Sequence, residues 1–372
     1  MRAESLGLPS HMRENDVLIV GAGPIGIELG VELQRRGIDF AIVEAGAIGS
    51  TMQWWAPGTR FFSSPERIAI AGVPLVTAGE EKATREEYLA YLRTVVGTFG
   101  LNIETSTRVV GARVVAGGFE IETRRSAHGV GGPAETRPDA MAEHAPIRVR
   151  RARRLVLAIG NMHRPRMLGV EGEHLPHVSH FFDDPHTYFG GRVLIVGGKN
   201  SAVEAAIRCH RIGCDVSISY RGAAFDPDRV KYWLLPEIEW LCRKDLIHFH
   251  PQSVPVQITP DGAVLRRLDA GRTEHFVAAD HVLMLTGYLQ DSTLFEQLGV
   301  ELFGPERKPR VHAATMETSV PGVYVIGTAS AGSQTRARVF IETSHVHVHR
   351  VADALQGVQA EHPTPTFEME ES

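Results

Sequence analysis

Three glycines spaced as Gly21-Ala-Gly23-Pro-Ile-Gly26, with Glu44 about twenty residues further on, have the types and spacing to hold a dinucleotide. Gly21 permits a tight turn, Gly23 lets backbone approach a pyrophosphate, and Gly26 lets a helix sit close on a strand. Glu44 is placed to accept from a ribose hydroxyl. A related pattern recurs at Gly197–Ala202, GGKNSA, where Lys199 stands in the middle glycine's place and the next strand ends in Tyr220-Arg221 without an acid. A carboxylate there would repel a 2′-phosphate. Arg221 instead offers a bidentate fork, and Tyr220 a face for adenine. The second site is therefore expected to prefer NADPH to NADH, unless Arg221 is merely a surface residue at a strand end.

Cys209, Cys214 and Cys242 are the chain's only cysteines; they contain no CxxC and exclude a disulfide framework. Cys209 and Cys214 bracket a helix end and a strand start, where small buried thiols are common. His163, just past the strand RLVLAIG, is a candidate proton donor, because strand ends in open α/β sheets face the crevice. A surface loop histidine is the competing reading. His345, His347 and His349 alternate, but in a helix only His345 and His349 share a face, and no metal site is expected.

These residues need elements to place them. Val17–Val20 reads as a buried parallel strand, Ile27–Arg36 as an amphipathic helix stopped by Gly37, and Phe40–Val43 as the next strand. The second unit repeats this, with strand Arg192–Val196, helix Val203–Arg211, stop Gly213 and strand Val216–Tyr220. Between them, Ala45–Thr77 is long and irregular. Its Trp54, Trp55, Phe61 and Phe62 either wall a flat aromatic cofactor or form core under the loop. Thr84 caps a helix to Phe99, with Glu86 and Glu87 in its first turn. Short strands are expected around Ile103, Thr107–Val115 and Phe119–Thr123, and Arg124–Pro146 as an exposed, mobile insertion in this meander. The arginine run Arg148–Arg154 reads as a solvated loop edge leading into the strand Arg154–Gly160. Trp233–Asp245 reads as helix, 281–288 and 316–332 each as a strand ending in glycine, and Arg338–Leu355 as the last helix.

The chain of 372 residues has 22% charged and 43% hydrophobic residues and a net charge of -5, the profile of an ordinary globular protein with no sign of a nucleic-acid partner. No apolar run reaches the length of a membrane span, and residues 1–12 lack the apolar centre of a signal peptide, so a cytoplasmic location is the default expectation and Met12 an alternative start.

Two dinucleotide motifs in tandem imply two dinucleotides facing each other, FAD in the first and NADPH in the second. The stretches GAGPIG (21–26), FFSSPERIAIAGVP (61–74), VGGKNSAVEAA (196–206), SYRG (219–222), LTGY (285–288) and METSVPGVYVIG (316–327) are similar to the bacillithiol-disulfide-reductase-like flavoproteins. Those belong to the thioredoxin-reductase-like, two-dinucleotide-binding-domain superfamily. The resemblance implies an α/β fold of two Rossmann-like three-layer domains. The FAD domain would be 13–174 and 283–357, the NADPH domain 175–282 inserted within it, and 1–12 and 358–372 tails. It carries FAD to Gly21, Gly23, Gly26, Glu44, Val109 and Gly327, and NADPH to Gly197, Asn200, Ser201, Tyr220 and Arg221; Pro24, Ile25, Gln53, Gly160, Lys199, Gly287 and Ile341 complete the implied cofactor-binding set. The last helix, starting between Arg338 and Thr343, would point at the flavin's pyrimidine edge, and a homodimer or homotetramer is implied. Two departures stand out. Thr328 replaces an acid frequent in such flavoproteins, and Ile25 stands where the bacillithiol group commonly has the cysteine suspected of thiol chemistry. The expected activity is an NADPH-oxidising flavoprotein that reduces a small, disulfide-like acceptor or a redox partner protein. A flavin monooxygenase and a non-catalytic redox sensor are the alternatives.

Overall fold

The computed structural model describes residues 14–126, 145–334 and 338–363. The expected insertion at Arg124–Pro146 and both tails fall largely outside these residues. The chain divides into two compact units. Of the described residues, one comprises 14–53, 63–126, 145–164, 289–334 and 338–363; the other comprises 54–62 and 165–288.

The first unit is built on β1 (Glu14–Val20), β2 (Phe40–Val43), β3 (Ile103–Glu104), β4 (Thr107–Val115), β5 (Gly118–Arg125) and β6 (Arg148–Leu157), in the order β3-β2-β1-β6-β5-β4. β1 lies parallel to both β2 and β6, while β4, β5 and β6 form an antiparallel meander. The strand Val323–Val325 pairs in parallel with the C-terminal half of β6. Val17, Ile19, Leu155, Leu157, Val323 and Val325 are fully buried, as both-faced parallel strands require. Helix α1 (Pro24–Arg35) crosses from β1 to β2 and is stopped by Gly37 in the left-handed region at φ +68°. Helix α2 (Arg85–Phe99) opens with a full capping box, Thr84 and Glu87 each satisfying the other's backbone N–H.

Two readings of this unit are corrected. The arginine run is no loop edge: it lies within β6. Arg150 is buried and makes a two-pronged pair with Glu104 on β3, one arm at 2.7 Å, and Arg154 reaches Asp16 at 2.8 Å. The last helix begins at His345, not near Arg338. Ahead of it the chain makes a tight turn in which the Thr343 and Ser344 hydroxyls bond the Phe340 backbone, and such local bonds compete with helix.

The second unit has a parallel sheet ordered His248–Pro251, Asp215–Tyr220, Arg192–Val196, His281–Met284 and Val178–Ser179. One face packs on the helix Asn200–Arg211 through Val203, Ala206 and Ile207. The other packs on an antiparallel sheet, Ser253–Thr259, Gly262–Arg267 and Glu274–Ala278, through Ile258, Leu265 and Val277. Helix, parallel sheet and antiparallel sheet make three layers here, and a parallel βαβ stands at the centre of each unit, the Rossmann-like arrangement that the resemblance implied. Among the described residues, no helix is long and apolar enough to cross a membrane.

Candidate functional site

In the first unit, β1, β2, β6 and Val323–Val325 run parallel and end on one edge. There the chain places Gly21, Glu44, Gly160 and Gly327 in turn. Gly21 has φ +108°, and a Cβ would collide with the Ala158 carbonyl; a Cβ on Gly26 would collide with the carbonyl of Gly21. Both are demanded by the chain's own packing. Gly23 is different. Its backbone is ordinary, φ -75° and ψ 180°, and nothing lies within 4 Å of where a Cβ would stand. The fold gives no reason for glycine there; a pyrophosphate lying against the backbone would. Glu44 is buried, with one carboxylate oxygen accepting from Ala22 N–H at 2.7 Å and the other from Gly46 N–H and Ser50 Oγ. A carboxylate has about four acceptor positions, so room for a ribose hydroxyl remains.

Ile25 packs on Gly327, whose φ is +66°, and Gly327 N–H donates to Nδ1 of His347 at 3.2 Å. His347 is buried, and burial holds its pKa down at about 4, so it accepts as a neutral ring. Gln290 enters the same edge, its amide donating to the Gly160 and Ala329 carbonyls at 3.1 and 2.8 Å, while its own carbonyl oxygen is buried and has no partner among the described residues. An open cradle at Gly23 and an orphaned acceptor beside Gly160 fit a phosphate-bearing ring cofactor. Val109 sits on β4 at a register shift, Gln53 ends a short helix, and Ile341 lies in the turn before the last helix.

His163, the expected proton donor, has both ring nitrogens engaged. Its Nδ1 accepts from Asp291 N–H and its Nε2 donates to the Ile159 carbonyl, both at 3.0 Å. Burial lowers its pKa. With both nitrogens engaged by backbone, the ring fastens two segments together. His345 and His349 face Glu28 and Glu32 of α1, at 2.8 and 3.9 Å.

In the second unit, Gly197 and Gly287 also follow parallel strand ends, and Tyr220 closes the strand Asp215–Tyr220. Gly197 has φ +147° with the Leu285 carbonyl where a Cβ would be, and the Tyr220 ring lies flat against Gly198 and stacks at 8° on Phe225. Asn200 begins the helix that also carries Ser201. It fastens a neighbouring loop by donating its N–H to Arg229 O and accepting Lys231 N–H at 2.6 Å. Burial first, then the guanidinium groups of Arg229, Arg221 and Arg166, press the Lys199 ammonium below its ordinary pKa. Four cations thus gather at the helix start, where an anion is favoured. Arg166 and Arg229 were missed in the sequence because neither belongs to the motif. The aromatic loop packs within this unit: Trp54 lies edge-on to Phe181 and Tyr288, and Phe62 stacks on Trp233. The thiols of Cys209, Cys214 and Cys242 are all pushed up by burial, Cys209 to about 12 and Cys242 to about 11.

A family model described as pyridine nucleotide-disulphide oxidoreductase matches residues 18–128 and 147–327. The chain belongs to that family. It is 31% identical over 343 residues to bacilliredoxin reductase Bdr of Bacillus subtilis (strain 168), spanning 92% of this chain and 97% of that one. The solved bacillithiol disulfide reductase Bdr (YpdA) from Bacillus cereus superposes with a TM-score of 0.83 at 28% identity, covering 93% of this chain and 99% of that one. A ferredoxin–NADP reductase of Ignicoccus hospitalis is 26% identical over 84% of this chain and 89% of that one. The resemblance read from the motifs therefore stands. The chain is a flavin-dependent NAD(P)H oxidoreductase, with FAD and NADPH as cofactors.

Proposed function

We propose that the protein passes two electrons from NADPH through FAD to a small disulfide acceptor without any protein thiol in the relay. The first unit, by this reading, holds FAD on Gly21, Gly23, Gly26 and Glu44, and the second holds NADPH on Gly197, Lys199, Ser201, Tyr220 and Arg221. FAD held there would supply the redox chemistry that links hydride donation by NADPH to reduction of the acceptor. The balance is NADPH, one proton and one disulfide giving NADP+ and two thiols.

The observation that carries the thiol-free route is the state of the cysteines. A thiolate, not a thiol, is the nucleophile, and burial keeps all three as thiols. Ile25, packed on Gly327, offers no substitute. The bacillithiol disulfide reductase of Bacillus cereus favours a disulfide acceptor, and the ferredoxin–NADP reductase relative favours a one-electron partner protein as the second reading.

Anaerobic titration with NADPH followed by separate additions of a low-molecular-weight disulfide, a ferredoxin and air tests this. Flavin bleaching that is reversed by disulfide, and unaffected by prior iodoacetamide treatment, is the expected result. Reoxidation by ferredoxin alone would select the second reading, and by air alone an oxygen-using enzyme. Loss of disulfide turnover on alkylation would refute the thiol-free route.

A further inference from the structure

Gln290 is 7% exposed, and its backbone N–H is held by Ser333 Oγ at 2.8 Å. Its side-chain amide spends both donors, on Gly160 O and Ala329 O. Reversing the amide would set its oxygen against two carbonyl oxygens, so the orientation is fixed by chemistry. The carbonyl oxygen Oε1 is left buried and without a partner among the described residues, and a buried acceptor in that condition is costly. Gly160 follows β6 and Ala329 follows Val323–Val325, the two neighbouring strand ends at the edge that also carries Gly21 and Glu44.

We propose that Gln290 Oε1 is an acceptor reserved for a ring N–H of the flavin. This rests on the reading that the first unit holds FAD. The isoalloxazine ring is mostly a set of acceptors. Its donors are N3–H in either redox state and N5–H in the reduced anion, whose N1 carries no proton. A lone buried acceptor, rigidly aimed by two donor bonds, complements one of those two groups. Gln290 thus either anchors the ring in both states or favours its reduced form.

The test uses Gln290→Leu, with FAD affinity measured by flavin fluorescence on apo-protein and the midpoint potential measured on holoenzyme. If N3–H is the partner, the variant binds FAD about five- to tenfold more weakly, as one net hydrogen bond implies. It then binds N3-methyl FAD no worse than the wild type does. If N5–H is the partner, oxidised FAD binds as before and the midpoint potential falls by about 20 to 30 mV, at 29.6 mV per decade for a two-electron couple.

Unchanged affinity and potential would overturn the proposal. So would equal weakening of FAD and N3-methyl FAD with no change of potential, which is the signature of slack at the Gly160 and Ala329 carbonyls. Gln290→Asn withdraws the amide by one methylene and takes the same measurements should the leucine variant not fold. Wild-type protein that takes up no FAD, or a Gly23→Val variant that keeps it fully, would instead refute the cofactor placement.

Discussion

Arg221→Ala separates NADPH from NADH. Arg221 is exposed at the end of Asp215–Tyr220, and it shares its surroundings with Lys199, Arg229 and Arg166. A hydrogen bond to a charged group contributes about 1.5 to 3 kcal/mol net. Exposure and the three remaining cations place Arg221 at the low end, about 1.5 kcal/mol, which is roughly tenfold in affinity. The dissociation constant for NADPH, followed by nicotinamide fluorescence, should rise about tenfold, and that for NADH by less than about twofold, since NADH has no phosphate to lose. The difference should shrink from low salt to 0.5 M salt, because the Debye length falls below about 5 Å. The wild-type preference should also weaken at alkaline pH. Lys199 has a lowered pKa, so it loses its charge at a lower pH than an ordinary lysine, below about 10.4. An equal rise for both cofactors, or none for either, would refute the assignment of Arg221 to the 2′-phosphate.

Gly23→Val should strip FAD while leaving the melting temperature of the apo-protein within a few degrees, whereas Gly21→Val should unfold the unit, because only Gly21 lacks room and has a left-handed φ; equal melting losses would contradict this. Arg150→Met removes the fork to Glu104, whose side chain is 25% exposed, and should cost about 2 to 3 kcal/mol, below the 3 to 5 typical of a fully buried pair; chemical denaturation of the single variant and of Arg150→Met with Glu104→Leu should show recovery in the double. Burial alone would lower the pKa of His345, but the Glu28 carboxylate and the Arg67 carbonyl more than offset it and the net shift is upward. Its contribution is therefore complete below the unfolded value of about 6.5 and lost as pH rises through the raised folded value. A His345→Gln variant should differ from wild type in stability at pH 5.5 and approach it in alkaline solution; a constant difference would count against the linkage.

The glycine loops were legible in the sequence because each imposes a backbone requirement that few other residues meet, and Thr84 and Glu87 were legible because a capping box is local. What failed was whatever depends on distant partners. The run Arg148–Arg154 has the composition of a loop, yet β5 on one side and β1 on the other make it a strand, and Glu104 takes Arg150's charge. The segment before His345 holds no glycine or proline to stop a helix, and only the hydroxyls of Thr343 and Ser344 folding back on Phe340 reveal the turn. His163 stood at the expected strand end, but its ring was already committed to Ile159 and Asp291. Gln290 carries no motif signal, since its role arises from Gly160, 130 positions earlier.

The double pairing of β6 also sets an order of events during synthesis. Residues 165–288, nearly the whole second unit, leave the ribosome as one stretch and can collapse on themselves as they emerge. The first unit cannot close then. The C-terminal half of β6 keeps a bare edge until Val323–Val325 arrives, more than 160 residues after Leu157. A nascent chain paused in that interval holds a finished inner unit beside an unfinished sheet whose exposed apolar strand is a template for unwanted pairing. Aggregates from a strained expression host should therefore be rich in chains arrested before Val323.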